Sequence, residues 1–385
     1  MSNRKIFWIY ALSSSIYFIQ GIEGLPAQAL FYYLKETLNF SADKIMFLNS
    51  IVTLSWLVKP VIGYLIDRLF TKKTWIYLAL FMDIVSVLIL GVWVLPVSFI
   101  FFILLLNSSN SAFRDVSIDG IMCIEGKRHN LTGKIQSIQW ISISFASILT
   151  GIGGGYIAWR WNYKIAFLCL IPFYCLCGLI AFFYQEDNKE KNFKSSSLIQ
   201  DLKRVFSHKE LMVVALFIFL YKYSPSFGTP LFFIQRDVFK WDKRLIGFLA
   251  TLAACFEIVG GIFYYRFCQR IKIKKWLFGS VFLGAAATLS YLYYTPVTAV
   301  IYDIFYSLIG MFIFIMVLDF MAKNSLSGME ATSFAFLCSV SNLATTASQI
   351  SGAFLYPRVG LKWLIIISSF TSFLCLFLIN KLKDI

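Results

Sequence analysis

The sequence predicts an all-α membrane protein: twelve transmembrane helices in two six-helix halves. Three observations carry this. The 385 residues are 59% hydrophobic and only 14% charged, where a soluble domain carries roughly a quarter charged residues. Apolar runs of about 20 residues, the length that crosses a bilayer, recur from end to end. A short basic segment also occurs twice: Gly63-Tyr64-Leu65-Ile66-Asp67-Arg68-Leu69-Phe70-Thr71-Lys72-Lys73, then Gly261-Ile262-Phe263-Tyr264-Tyr265-Arg266-Phe267-Cys268-Gln269-Arg270. Gly63 aligns with Gly261, Arg68 with Arg266 and Lys72 with Arg270, at one constant offset. A basic loop repeated between apolar runs marks a membrane chain built as two related halves. A membrane β-barrel would need roughly 10-residue segments of alternating polarity instead.

The passes are expected near 6–34, 44–66, 74–95, 97–120, 134–158, 163–184, 210–235, 244–267, 276–295, 297–321, 330–355 and 360–380. The first follows a basic start without a clear small-residue cleavage site, so it is expected to be a first span and not a removed signal. It is expected to break at Gly21-Ile22-Glu23-Gly24-Leu25-Pro26, and the seventh pass at Ser224-Pro225-Ser226-Phe227-Gly228-Thr229-Pro230. The fifth carries Gly151-Ile152-Gly153-Gly154-Gly155 with no strand before it, a pattern of close helix packing and not of a nucleotide loop. The longest polar break, Gln185 to Lys209, follows the sixth pass. Ser197 to Phe206 within it spaces apolar residues as a surface helix does. The division is therefore a first half over 1–184, a cytoplasmic linker with an amphipathic helix over 185–209, and a second half over 210–385.

The formal charge is +15. All of its basic residues but Lys59, Arg114 and Lys222 lie in loops, more than twice as many on one side as on the other. The positive-inside rule then places both termini and the central loop in the cytoplasm, and accounts for the charge without nucleic acid. The membrane is expected to be a cell membrane, plasma or bacterial inner. The eight cysteines form no CxxC pair or loop cluster, so neither metal nor a disulfide framework is indicated. No GxxxxGK[ST] run is present, and His129 and His208 are the only histidines, which leaves no catalytic constellation and no ATP-driven engine.

The repeated basic loop falls on the cytoplasmic side. Gly63 lets helices approach closely. Asp67 can cap a neighbouring helix N-terminus or pair with a base. Arg68 and Lys72, with Arg266 and Arg270 of the copy, anchor at the headgroups. Together they suit a latch that holds helices in one state and releases them in another; the bland alternative is a plain positive-inside loop. The segment resembles the signature of the major facilitator superfamily after its second helix, although the copy has Tyr265 where Asp67 sits.

An ionisable residue at mid-membrane costs on the order of 2.5–3.5 kcal/mol on insertion scales, so it faces a cavity or a partner. The candidates are Glu23, Lys59, Asp83, Arg114, Asp115, Asp119, Lys222, Glu257, Asp303 and Asp319. Asp115 and Asp119, four apart, share a helical face, and Arg114 points elsewhere. Asp303 and Asp319 lie near the ends of the tenth pass, where an interfacial place is open to them. Glu23 and Lys222 adjoin the two expected helix breaks, a common setting for substrate sites. Trp56 and Lys59, three apart, put a stacking face beside a cation; Gln136, Gln139 and Trp140 repeat that theme. The alternative for Glu23, Lys59 and Lys222 is a set of buried ion pairs that lock helices.

Four segments extend the comparison with known families: Gln20-Gly21 through Leu30 leading to Tyr33-Leu34-Lys35-Glu36-Thr37-Leu38 and Trp56-Leu57-Val58-Lys59-Pro60-Val61-Ile62-Gly63; Asp115-Val116-Ser117-Ile118-Asp119-Gly120 followed by Gly133-Lys134-Ile135-Gln136-Ser137-Ile138-Gln139-Trp140; Pro225-Ser226 through Phe232-Phe233; and Gly328-Met329-Glu330-Ala331-Thr332-Ser333-Phe334-Ala335 with Ser341-Asn342. Together they resemble the folate-biopterin transporter family, a branch of the major facilitator superfamily. Ser55 stands where that family often has proline and Gly120 where it usually has alanine, while Arg114 and Glu257 add charges outside the pattern.

The resemblance implies a major facilitator fold importing folate or pterin compounds, with protons, by alternating access. The implied partners are the small-molecule substrate, protons and the bilayer, for a monomer needing no cofactor. Lys59 and Lys222, with Arg114 behind them, would meet the two carboxylates of a folate glutamate tail. Glu23 or Asp115 would accept from the pterin amino group and ring N–H. Trp56 or Trp140 would stack on the ring, with Gln136 beside it. Glu23 or Asp119 would carry the proton. A carrier of another small metabolite stays open, as does a non-transporting receptor, which would bind ligand without accumulating it.

Overall fold

The protein is described by a computed structural model covering residues 3–40, 45, 48–49, 51–186, 203 and 205–382. Almost all of these are helical, and none of the described residues lies in a strand. Contacts divide the chain into two compact units. One is Met1–Ser196 with Ser327–Ala335, and the other is Ser197–Leu326 with Phe336–Ile385.

The first unit holds α1 (Asn3–Ile22), α2 (Ala27–Tyr32), α3 (Lys59–Arg68), α4 (Lys72–Val92), α5 (Val97–His129), α6 (Thr132–Arg160), α7 (Tyr163–Leu168) and α8 (Ile171–Phe183). α1 packs along α6, and α4 along α5. The second unit holds α9 (Lys209–Lys222), α10 (Gly228–Phe233), α11 (Lys243–Phe267), α12 (Ile273–Ser290) and α13 (Pro296–Lys323). α14 (Glu330–Thr371) begins in the first unit and continues in the second, which also holds α15 (Leu376–Ile379). α14 is two passes in one, for it turns at Gly360, whose φ of 72° breaks the helical run. Among the described residues, eight stretches are long and apolar enough to cross a bilayer; one of them, Glu330–Ile379, contains that turn. The first, second and seventh passes are interrupted and make up the rest of the twelve.

The interruptions follow the proline- and glycine-rich sequences. α1 ends at Ile22, a turn spans 23–26, and α2 leads into a π-helical turn, Tyr33–Thr37, that closes at Asn39 with φ of 54°. The seventh pass repeats this succession. α9 ends at Lys222, the chain is irregular over 223–227, and α10 leads into a π-helical turn, Ile234–Val238, that closes at Lys240 with φ of 57°. Two six-residue helices, each followed by five π-helical residues and a left-handed stop, form an internal repeat the basic loops alone did not reveal.

One expected boundary is wrong. The fourth pass was placed at 97–120, but α5 runs 33 residues to His129, about 50 Å of helix. The charged tail that looked like loop is held as helix by pairs three and four residues apart: Glu125 meets Arg128 at 3.3 Å and His129 at 3.5 Å. Lys127, Arg128 and His129 also suit the negative end of the helix, which closes on Asn130 in the left-handed conformation. The surface helix expected over Ser197–Phe206 falls mostly outside the described residues.

Candidate functional site

The break after α1 turns Glu23 towards α5. Its carboxylate is ion-paired with Arg114 and accepts from Ser111 Oγ at 2.9 Å and Tyr174 OH at 3.0 Å. Arg114 is 1% exposed, and its Nε stands 2.8 Å from Asp83 Oδ2 on α4. Asn107 donates to the other Asp83 oxygen at 3.0 Å. One guanidinium therefore lies between two carboxylates. Glu23 also lines a cavity of about 570 Å3, together with Gln28, Tyr32, Asn49, Leu104 and Phe167.

A second cluster lies on the next face of α5. Lys59 Nζ is 2.7 Å from Asp115 Oδ2 and 4.4 Å from the centre of the Trp56 ring. Trp56 Nε1 donates to Ser108 Oγ at 3.1 Å. One turn further, buried Asp119 accepts from Tyr17 OH at 3.0 Å and Gln139 Nε2 at 3.4 Å on the same oxygen. The Tyr17 ring meets Trp140 edge to face at 6.0 Å. Gln136 is fully buried. Its amide donates only to Met122 Sδ, at 3.6 Å, and its oxygen has no hydrogen-bond partner.

The basic loop sits at the start of α14. Asp67 accepts from Thr332 N and Oγ1 at 2.8 and 2.7 Å and from Ala331 N at 3.3 Å, while Lys72 Nζ pairs with it at 3.4 Å. This is a helix cap supplied from another helix, an anion at the positive end of the α14 dipole. Two glycines make room for it. A Cβ on Gly63 would lie 2.8 Å from Ala331 O and Thr332 Cα. One on Gly120 would lie 2.6 Å from Lys72 Cε, so this glycine leaves room for the lysine stem. Ile62, Ile66, Ala112, Val116, Ala331 and Ala335 form the apolar cluster beneath. Arg68 lies over the Tyr64 ring at 5.8 Å.

The second unit holds less of the expected site. Lys222 ends α9 with its ammonium 4.8 Å over the Phe314 ring and no acidic side chain at ion-pair distance among the described residues. Arg266 and Arg270 are exposed. Asp319 is 1% exposed, held by Tyr264 OH at 2.8 Å and Lys323 at 3.3 Å. One neighbour on its own helix and one on an adjacent helix therefore satisfy it.

The structure therefore joins Glu23 to Arg114, Trp56 and Lys59 to Asp115, and Asp119 through Tyr17 to Trp140. It keeps Glu23 apart from Asp115. Tyr17, Asn107, Ser111 and Tyr174 were missed. Hydroxyls and amides inside apolar runs carry no periodic signal, and only their opposition to a charged residue on another helix marks them.

The described chain is similar in fold to FucP, a major facilitator superfamily transporter solved in the outward conformation, with a TM-score of 0.76, 11% identity, and coverage of 98% of this chain and 99% of that one. A further FucP structure, described as the E. coli fucose:proton symporter, gives a TM-score of 0.74 at 11% identity and covers 98% of each chain. In sequence the chain is 24% identical over 373 residues to the folate-biopterin transporter of Synechocystis sp., across 92% of this chain and 76% of that protein. It is 22% identical over 402 residues to Folate transporter 1 of Plasmodium falciparum, across 97% and 79%. The BT1 family profile matches residues 20–384. These findings define the class, a multi-pass membrane transporter of the major facilitator fold and not an enzyme. The chain belongs to the BT1 family.

Proposed function

We propose that the chain imports folate or pterin compounds together with protons, by alternating access. The observation that carries this reading is Lys222, a cation beside an aromatic ring with no acidic partner among the described residues. A lysine so placed within a pass calls for an anion from outside the protein, and the carboxylates of a folate glutamate tail supply one. The names of the sequence relatives support the same cargo. Lys59, Arg114, Glu23, Asp115, Trp56, Gln136 and Trp140 are proposed as the remaining contacts, with Glu23 and Asp119 as proton carriers. The proton symport of FucP is consistent with the latter.

Gly63, Asp67, Arg68 and Lys72 act in this reading as a cytoplasmic latch, with Arg266 and Arg270 as headgroup anchors. The halves are 1–184 and 210–385, both termini are cytoplasmic, and the protein works as a monomer. The test is uptake of labelled folic acid into proteoliposomes with and without an inward proton gradient. Accumulation that depends on the gradient is expected. No accumulation under either condition would remove folate as cargo.

A further inference from the structure

Asp83 takes no part in the site proposed above. It is fully buried on α4, does not line the cavity, and meets Arg114 at Nε while Glu23 meets it at Nη2, with Asn107 fixing the second Asp83 oxygen. Charge counting gives it a role. Glu23 and Asp83 carry two carboxylates and Arg114 one guanidinium, and no other basic side chain among the described residues pairs with either acid. With both carboxylates ionised, as the mildly alkaline buffer of the test favours, the cluster holds one surplus negative charge. Glu23 is its only member lining the cavity. Ser111 and Tyr174 aim the Glu23 carboxylate with neutral donors that leave this surplus in place.

We propose that Asp83 is a positioning residue for the Glu23 site. It shares Arg114 with Glu23 through Nε, so that Glu23 presents a partly uncompensated acceptor to the cavity, fitted to a ligand edge bearing two N–H groups or a positive charge, as an aminopyrimidinone ring does. This rests on Glu23 being the donor-edge contact of the proposed transport site. Without Asp83, Arg114 would neutralise Glu23 outright and the edge would have to displace a full ion pair. With Asp83 present, Arg114 keeps a counter-charge when Glu23 turns to the ligand.

The inference can be tested without any substrate. Gln28→Cys places a thiol in the same cavity. Its reaction with a cationic and an anionic methanethiosulfonate is followed in mildly alkaline buffer by mass spectrometry of the peptide carrying residue 28, which sets aside the exposed native thiols Cys175 and Cys255. A unit of surplus charge at about 10 Å in a wet cavity favours the cation by roughly threefold or more. That preference is expected in the Gln28→Cys protein, lost with added Glu23→Gln, lost with added Asp83→Asn and kept with added Asp83→Glu. A purely structural Asp83 would leave the ratio of the two rates unmoved. If Asp83→Asn does not fold, the pair Asp83→Asn with Arg114→Gln restores the same net charge and is expected to keep the preference. No preference in the starting protein, an unchanged one in Asp83→Asn, or a lost one in the pair overturns the inference. No folate or pterin is present, so failure of those compounds to be transported leaves the outcome untouched.

Discussion

Asp67 holds Thr332 twice on one carboxylate oxygen, through the backbone N–H at 2.8 Å and the hydroxyl at 2.7 Å. The residues are far apart in sequence, and the contact closes the open end of α14. Loss of a helix cap costs typically about 1 kcal/mol and up to about 2. Asp67→Ala is expected to destabilise the protein by that amount in thermal unfolding in detergent, and to reduce uptake. Asp67→Asn keeps an acceptor for Thr332 but loses the charge that meets Lys72, so its stability should fall by less. Equal unfolding of parent and Asp67→Ala would show that the cap contributes nothing.

Lys59 and Asp115 satisfy each other at 2.7 Å with little solvent. Removing one partner of a buried ion pair leaves a bare charge and costs about 3–5 kcal/mol. Lys59→Met should therefore be strongly destabilising, and Lys59→Met with Asp115→Asn should recover most of the loss. Uptake decides between a lock and a binding site. A stable double variant that still transports means the pair only fastens helices; a stable one that does not transport makes it part of the substrate site.

These two sites differ in how far sequence alone reaches them. The Asp67 cap was legible because a carboxylate one turn after Gly63, at the polar end of a pass, has few uses besides a helix end or a base. The breaks at 23–26 and 223–227 were legible because proline and glycine cluster there, Gly24 with Pro26 and Pro225 with Gly228 and Pro230. Arg114 could be assigned away from Asp115 because neighbours on a helix point about 100° apart. Its true partners could not, because Glu23, Asp83 and Arg114 lie on three helices whose mutual rotation depends on packing that no local pattern encodes. Gln136 was expected beside a ring as a substrate contact, and its surroundings offer only Met122 as a hydrogen-bond partner.

Asp119 separates coupling from translocation. It accepts from Tyr17 and Gln139 and is buried one turn from the Lys59–Asp115 pair. If it carries the proton, Asp119→Asn should abolish gradient-driven accumulation while exchange of internal for external substrate persists, because exchange needs no net proton movement. Tyr17→Phe, which removes one donor, should weaken accumulation in the same direction by less. Parallel loss of exchange and accumulation in Asp119→Asn would instead make Asp119 a structural acid.

Lys222 reverses the logic of Lys59. Its ammonium faces Phe314 at 4.8 Å and has no carboxylate to strand among the described residues. Lys222→Met should therefore fold as well as the parent or better, since an unpaired charge leaves the interior of a pass. Its substrate should suffer. Loss of the cation that meets a carboxylate is expected to raise KM for folate at least tenfold, equivalent to about 1.4 kcal/mol, while an uncharged pterin without a glutamate tail keeps its KM. Uptake of the two compounds by one preparation makes the comparison internal. A variant that loses folate and pterin equally would place Lys222 in the translocation machinery and not in the carboxylate site, and a variant that keeps both would remove it from the site altogether.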